Sequence, residues 1–279
     1  MKTAGKRSDG KGWKKVLIHI GLSGIVLTTV LPFIWMVLAS FKPMSEIENL
    51  NPVPSRWHPE NYPAVFEQIR FARYYVNSFF VACWVTFLQL MTSAMAAYSF
   101  SRIEWRGRDA VFKLYLATMM IPGVVTMIPN YALMVKMGLL DSYAGLIIPA
   151  AFSAFGTFLL RQFMLGIPTA LDEAAKIDGA SHWQIFWNVC MPMARPGLIT
   201  LGVFTFLYNY QSFFWPLIMI KSDHLRTLPV GMLYFDGAYG KQTNVLMAAS
   251  LMCIAPLIIL FVAAQKFIVK GIQMGGVKG

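Results

Sequence analysis

The sequence predicts an all-α integral membrane protein of about six transmembrane helices, and two observations carry that reading. The chain is 57% hydrophobic and only 13% charged, with 14% aromatic residues and 18 Met, whereas soluble domains carry charge on about a quarter of their residues. Its apolar residues also gather into six long runs, at 16–40, 74–99, 110–135, 145–165, 197–220 and 245–269. Each is near the ~20 residues that cross a bilayer as a helix. Too little chain remains for a soluble catalytic domain.

The first run follows the basic stretch 1–15 and exceeds the ~7–15 apolar residues of a secretory signal. It has no A-x-A site and reads as an uncleaved span. The later runs carry Pro122, Pro129, Pro149, Pro216 and Pro256, which free backbone carbonyls and introduce bends, either as hinges or as static kinks. The domain reading is a cytoplasmic tail 1–15, a six-helix membrane domain 16–269 with a loop at 168–196, and a cytoplasmic tail 270–279.

Orientation follows from the Lys and Arg distribution. With both termini in the cytoplasm, the inner side holds twice as many as the outer side, as the positive-inside tendency requires. The net charge of +11 then reports topology and attraction to anionic lipid. No basic cluster sits on a soluble module, so nucleic acid is not an expected partner.

Several chemistries are argued against. Gly5 to Lys11 spells the first part of a phosphate-binding P-loop, but Gly12 stands where Ser or Thr would hold magnesium. Cys83, Cys190 and Cys253 have neither metal nor redox spacing and read as small buried hydrophobes. The four His are scattered, so neither catalytic residues nor metal ligands are expected. Glu104, Asp109 and Asp141 fall in loops or at span ends, whereas an ion-driven carrier shows intramembrane carboxylates.

The most informative segment is 173–196, a polar island in which Glu173, Lys176 and Asp178 exclude a membrane span. Thr169 and Asp172 after Pro168 resemble a capping box, and Leu171, Ala174 and Ala175 supply an apolar face. Gly179 suits the left-handed residue that ends a helix. Ser181 and Gln184 form a second capping box. Trp183, Phe186, Trp187 and Cys190 then fall at i, i+3, i+4 and i+7, one stripe of an amphipathic helix. Pro192 and Pro196 close the segment. The stripe suits the lipid interface, packing under other loops, or a groove on a separate protein.

Polar side chains within the runs mark either helix packing or a solute path. Asn77, Gln89, Asn130, Asn209, Gln211 and Gln265 are such residues. Phe204, Tyr208, Gln211 and Trp215 share one face at helical spacing, and rings with amides suit a sugar. Asn77, Tyr208, Gln211 and Trp215 are the candidate path.

Glu173, Ala174, Ala175, Asp178, Gly179, Ala180, Pro192 and Pro196 stand in the pattern EAA…DGA…P…P. In this the chain resembles the permease subunits of bacterial binding-protein-dependent ABC importers. Pro59-Glu60-Asn61-Tyr62, Asn77-Ser78, Leu140 to Gly145, Arg161-Gln162-Phe163, Trp215-Pro216-Leu217 and Gly275 to Gly279 extend the likeness over about 16–279. They point to the carbohydrate branch of maltose- and glycerol-phosphate-type permeases. Where those read Trp-Asn-x-x-x-Trp-Pro-Leu, this chain has Tyr210-Gln211-Ser212-Phe213-Phe214-Trp215-Pro216-Leu217.

The resemblance implies the type I importer fold, with a cytoplasmic coupling helix seated in a cleft of a dimeric ATP-binding subunit. Glu173, Ala174, Ala175, Asp178, Gly179, Ala180, Trp183, Phe186, Trp187 and Pro192 would form that contact. It implies no cofactor in this chain, ATP being bound and hydrolysed by the partner. A second homologous permease, an extracytoplasmic solute-binding protein, membrane lipid and a sugar-like solute complete the expected partners. The competing reading is an autonomous secondary carrier for a small polar solute.

Overall fold

The computed structural model describes residues 10–48, 51–237 and 242–276. Residues 1–9 of the expected basic tail and 277–279 of the expected C-terminal tail lie outside them. Among the described residues all regular structure is helical. The helices are α1 (Gly10–Ala39), α2 (Asn61–Gln68), α3 (Phe71–Arg102), α4 (Arg108–Ala117), α5 (Gly123–Lys136), α6 (Tyr143–Ile147), α7 (Ala154–Leu165), α8 (Thr169–Ile177), α9 (His182–Ile185), α10 (Met191–Met193), α11 (Arg195–Tyr210), α12 (Phe214–Met219), α13 (Leu228–Gly231), α14 (Tyr234–Gly237) and α15 (Thr243–Gly276).

Three of these, α1, α3 and α15, are long and apolar enough to cross a membrane unaided. Three bent pairs would raise the number to as many as six if each were one span: α4 with α5 at 98°, α7 with α8 at 76°, and the α9–α10 segment with α11 at 76°. The three remaining expected runs are each interrupted. The run 110–135 breaks at Ile121, which is pushed to φ −83°, ψ 117° ahead of Pro122, because the pyrrolidine ring disfavours helical backbone in the preceding residue. The run 145–165 ends α6 early and restarts at Ser153, whose side chain caps α7 by accepting from the Gly156 N–H at 3.0 Å. The run 197–220 stops at Tyr210 and resumes at Phe214.

The chain forms two compact units. The first comprises 1–68 with 234–252. Its described α1 side chains are almost all exposed up to Phe33, as an apolar helix surrounded by lipid would be. Past α1 the segment is tied by polar contacts. Lys42 is fully buried, donating to the Asn51 carbonyl at 2.5 Å with its Nζ 4.4 Å from the Trp35 ring. Asn61 donates to the Ser40 and Lys42 carbonyls at 2.8 and 2.9 Å and accepts from Asn244 at 2.9 Å.

The second unit comprises 69–233 with 253–279. Here α3 packs mainly on α7 and α11. Ser93, Ala94 and Ala97 keep the facing surface of α3 low, which is how helices approach closely where no hydrophobic drive separates them from lipid. The opposite surface of α3 is exposed and includes Cys83. That cysteine is therefore not the buried hydrophobe expected, whereas Cys190 is wholly buried.

The N-terminal end of α3 holds the segment 222–231. Asn77 is 1% exposed and saturated: its Nδ2 donates to the His224 and Arg226 carbonyls at 3.0 and 2.7 Å, and its Oδ1 accepts from Tyr143 at 2.7 Å. Ser78 accepts from the Leu228 N–H at 2.7 Å, and Tyr74 donates to Asp223 at 2.5 Å. Gly231 lies flat on the Tyr74 ring, where a Cβ would meet ring carbon at 2.2 Å.

Asp141 adopts φ 57° and fastens the α5–α6 connection to the start of the same segment. Its carboxylate accepts from the Lys221 and Ser222 N–H groups, both at 2.9 Å, and from the Ser222 hydroxyl. The Ser222 side chain first, then these N–H groups, hold its pKa below the ordinary 3.8. A depressed carboxyl pKa adds stability above 3.8 that is lost as pH falls through and below that value. Thermal melts from pH 7 to pH 3 should show a Tm deficit for Asp141→Asn at neutral pH that shrinks in acid. A deficit constant across that range would remove Asp141 from the account.

Candidate functional site

The polar island forms an elbow beside the C-terminal end of α3. Its first helix, α8, starts at Pro168 with no side-chain cap, so the capping role expected of Thr169 and Asp172 is not realised. Asp172 is drawn inward instead. Its Oδ2 pairs with Arg102 Nη1 at 3.1 Å, and the two side chains are only 12% and 4% exposed. Arg102 Nη2 donates to the Ile167 carbonyl at 2.7 Å and also to the Met164 carbonyl. A charge-assisted pair outcompetes the local N-cap because Arg102 lies within reach across the elbow.

The end of α8 is as expected. Gly179 has φ +81°; its N–H donates to the Lys176 carbonyl at 3.0 Å and that of Ala180 to the Ala175 carbonyl at 2.9 Å, the pair of bonds that closes a helix through a left-handed residue. The second capping box also forms. Ser181 Oγ accepts from the Gln184 N–H at 3.3 Å, and Gln184 Oε1 accepts from the Ser181 N–H at 2.7 Å.

The aromatic stripe is split rather than shared. Phe186–Cys190 is a π-helical turn, and the stripe divides into its two i, i+4 pairs. Phe186 and Cys190 are buried with Tyr98, Met164 and Ile185, while Trp183 and Trp187 remain exposed. Phe186 accordingly supports the elbow from within and is not on its exposed face. Tyr98 further ties α3 to α9 through its hydroxyl, 3.2 Å from His182 Nδ1. Glu173, Ala174, Asp178 and Gly179 are exposed, Ala175 and Ala180 are half-buried, and Ile177 next to them is 87% exposed. Pro192 lies within α10, and Pro196 opens α11, where its missing N–H costs nothing.

A second feature is a cavity of about 790 Å³ between α5 and the α11–α12 junction. It is lined by Gly123, Val124, Met127, Asn130, Tyr208, Gln211, Ser212, Phe213, Phe214 and Trp215. Three of the four expected path residues meet here. They do so across a helix break, since Trp215 belongs to α12 and not to the face of α11 that carries Tyr208. Trp215 Nε1 donates to the Gly145 carbonyl at 3.1 Å, which fixes the indole and leaves its ring to the cavity. Asn77 is not part of it: its side-chain bonds are all taken up by the 224–226 backbone and Tyr143. Asn130, one of the polar residues singled out within the runs, lines it from α5, while Ser212 and Phe213, which were not singled out, reach it from the α11–α12 break. Among the described residues, no Asp, Glu, Lys, Arg or His lines the cavity.

Comparison with known proteins gives concordant results. Residues 89–274 match the family described as binding-protein-dependent transport system inner membrane component. The arabinooligosaccharides transport system permease protein AraQ of Halalkalibacterium halodurans is 32% identical over 268 residues, 94% of this chain and 96% of that protein. The lactose transport system permease protein LacG of Rhizobium radiobacter is 31% identical, over 92% of this chain and 94% of its own. In three dimensions the chain is similar to a crystal structure of a bacterial ABC transporter involved in the import of the acidic polysaccharide alginate. That likeness has a TM-score of 0.84 at 24% identity, over 94% of this chain and 99% of the other.

Proposed function

The chain belongs to the family of binding-protein-dependent transport system inner membrane components and is a permease subunit of an ABC importer, and we propose that its solute is a neutral sugar or short oligosaccharide. ATP hydrolysis resides in a separate subunit. The observation that carries the solute reading is the cavity at α5 and α11–α12: aromatic rings, two amides and two hydroxyls, with no Asp, Glu, Lys, Arg or His among the described residues that line it. Flat rings cover sugar C–H faces, and amides offer both donor and acceptor to hydroxyls. An acidic polysaccharide such as alginate would require cations to offset its carboxylates. The relatives named for arabinooligosaccharide and lactose transport support the same reading.

The elbow then serves as the coupling element, with Glu173, Ala174, Asp178, Gly179, Trp183 and Trp187 forming the exposed surface that a dimeric ATP-binding subunit would grip. An extracytoplasmic binding protein would deliver solute at the other end of the helices. A second, homologous permease would cover the cavity, in keeping with the 79% exposure of Tyr208. The inner-membrane topology has both termini in the cytoplasm, with 16–269 as one permease domain between the two tails.

Uptake by proteoliposomes holding the complete importer tests the solute assignment. Tyr208→Ala and Gln211→Ala should each raise the KM for a neutral oligosaccharide about tenfold, the equivalent of one lost stacking or hydrogen-bonding contact of roughly 1.4 kcal/mol. Preferential uptake of uronate oligomers, or wild-type KM in both variants, would sink it.

A further inference from the structure

We propose that the Arg102–Asp172 ion pair is a positioning contact that passes movement of the α8–α9 elbow into α3, and along α3 to the segment 222–231. The inference rests on the coupling reading above. Asp172 is the one buried residue of the nine in α8, so its carboxylate is the principal anchor of that helix. The Arg102 guanidinium joins three elements at one point: it ends α3, pairs with Asp172 in the first turn of α8, and donates to the Met164 and Ile167 carbonyls at the end of α7. Each contact agrees with the helix dipoles, a carboxylate at a helix start and a cation at a helix end. A displacement of α8 therefore pulls on the end of α3 rather than being absorbed in a loose loop.

At the other end α3 is gripped as firmly. Its 32 residues form one continuous helix, and Arg102 lies about 36–42 Å along it from the Tyr74, Asn77 and Ser78 contacts with residues 223–228. A rod held at both ends transmits motion between them. The ion pair also retains unused capacity, since Arg102 Nε and Asp172 Oδ1 are buried with no hydrogen-bond partner. Joining those two atoms, with Nη2 moved from its carbonyls onto Oδ2, would give a second, side-on two-pronged arrangement of the same pair. Two discrete arrangements of one contact are what a coupling element between two global states needs.

The test compares Asp172→Asn and Asp172→Glu in the assembled importer in proteoliposomes, measuring solute uptake per ATP hydrolysed and the amount of ATPase retained. Asp172→Asn keeps the side-chain size and leaves Arg102 on its carbonyls. We expect it to hold the ATPase but to lower uptake per ATP about tenfold, within the usual range of allosteric coupling, and Asp172→Glu to restore most of the loss. Wild-type uptake per ATP in Asp172→Asn overturns the proposal, as does a loss that merely follows the amount of assembled complex. Gly179→Asp run in parallel separates the two levels. If it blocks uptake while Asp172→Asn does not, this inference alone fails; if it too is without effect, the coupling-loop reading fails with it.

Discussion

Gly179→Asp is expected to abolish ATP-driven uptake while leaving the permease folded in the membrane. Gly179 sits at φ +81° with nothing within 4 Å of where a Cβ would project, so the substitution meets no steric wall inside this chain. Its cost to the fold is the left-handed backbone, about 1–2 kcal/mol for a residue with a Cβ, and Asp tolerates that conformation better than most. The damage falls outside the chain. A charged side chain would stand on the exposed turn between α8 and α9, beside Asp178 and the exposed Ile177, on the surface assigned to the ATP-binding subunit. Co-purification of that subunit should fall away along with uptake, while membrane insertion and thermal stability of the permease stay near wild type. Normal uptake by the variant would remove the elbow from the coupling mechanism.

Asn77→Leu should produce the largest loss of stability, and without a change in solute selectivity. Leucine is close in size, so the effect isolates polarity. The His224 and Arg226 carbonyls and the Tyr143 hydroxyl would lose their partners around a side chain that is 1% exposed. At roughly 1–3 kcal/mol for each buried group left unpaired, the sum is about 3 kcal/mol or more. Thermal melting in detergent should report a drop of several degrees, and limited proteolysis should open the 222–231 segment. A path-lining residue would behave in the opposite way, changing KM with the melting curve intact. That result would return Asn77 to the solute route from which its geometry removes it.

Much of the coupling elbow was legible in the sequence because its signals are local. A glycine at the end of a helix, Ser181 three residues before Gln184, and prolines at helix starts each act within one turn of backbone, so spacing alone announces them. The Gly179 closure and the second capping box form as read. The first capping box does not, and for a tertiary reason. Asp172 had a local use in view and a better one out of view, a buried guanidinium 70 positions away in the chain. The aromatic stripe divided because its two i, i+4 pairs, Trp183 with Trp187 and Phe186 with Cys190, flank one face, and only the packing of Tyr98 and Met164 decides which pair is buried.

The residues expected to line a path were legible in composition and are only in part brought together. Tyr208, Gln211 and Trp215 do meet at one cavity, but across a break between α11 and α12 rather than along one face. Asn77, as polar but near the start of its apolar run, serves the backbone instead. A polar residue in a hydrophobic run announces that it has a partner. Whether the partner is solute, a neighbouring helix or a loop carbonyl depends on what the fold brings near.

The sequence by itself determined the class of the protein, the family and the local form of the elbow. These rest on apolar run length, on charge distribution, and on capping and turn chemistry that acts over a few residues. Only the tertiary structure decided where the spans bend, which side chains face the cavity, and which of the polar groups hold the bundle together. Those outcomes depend on long-range contacts, Arg102 with Asp172 and Asn77 with Tyr143 and the 224–226 backbone. Their energies exist only once distant segments have been brought within a few ångströms.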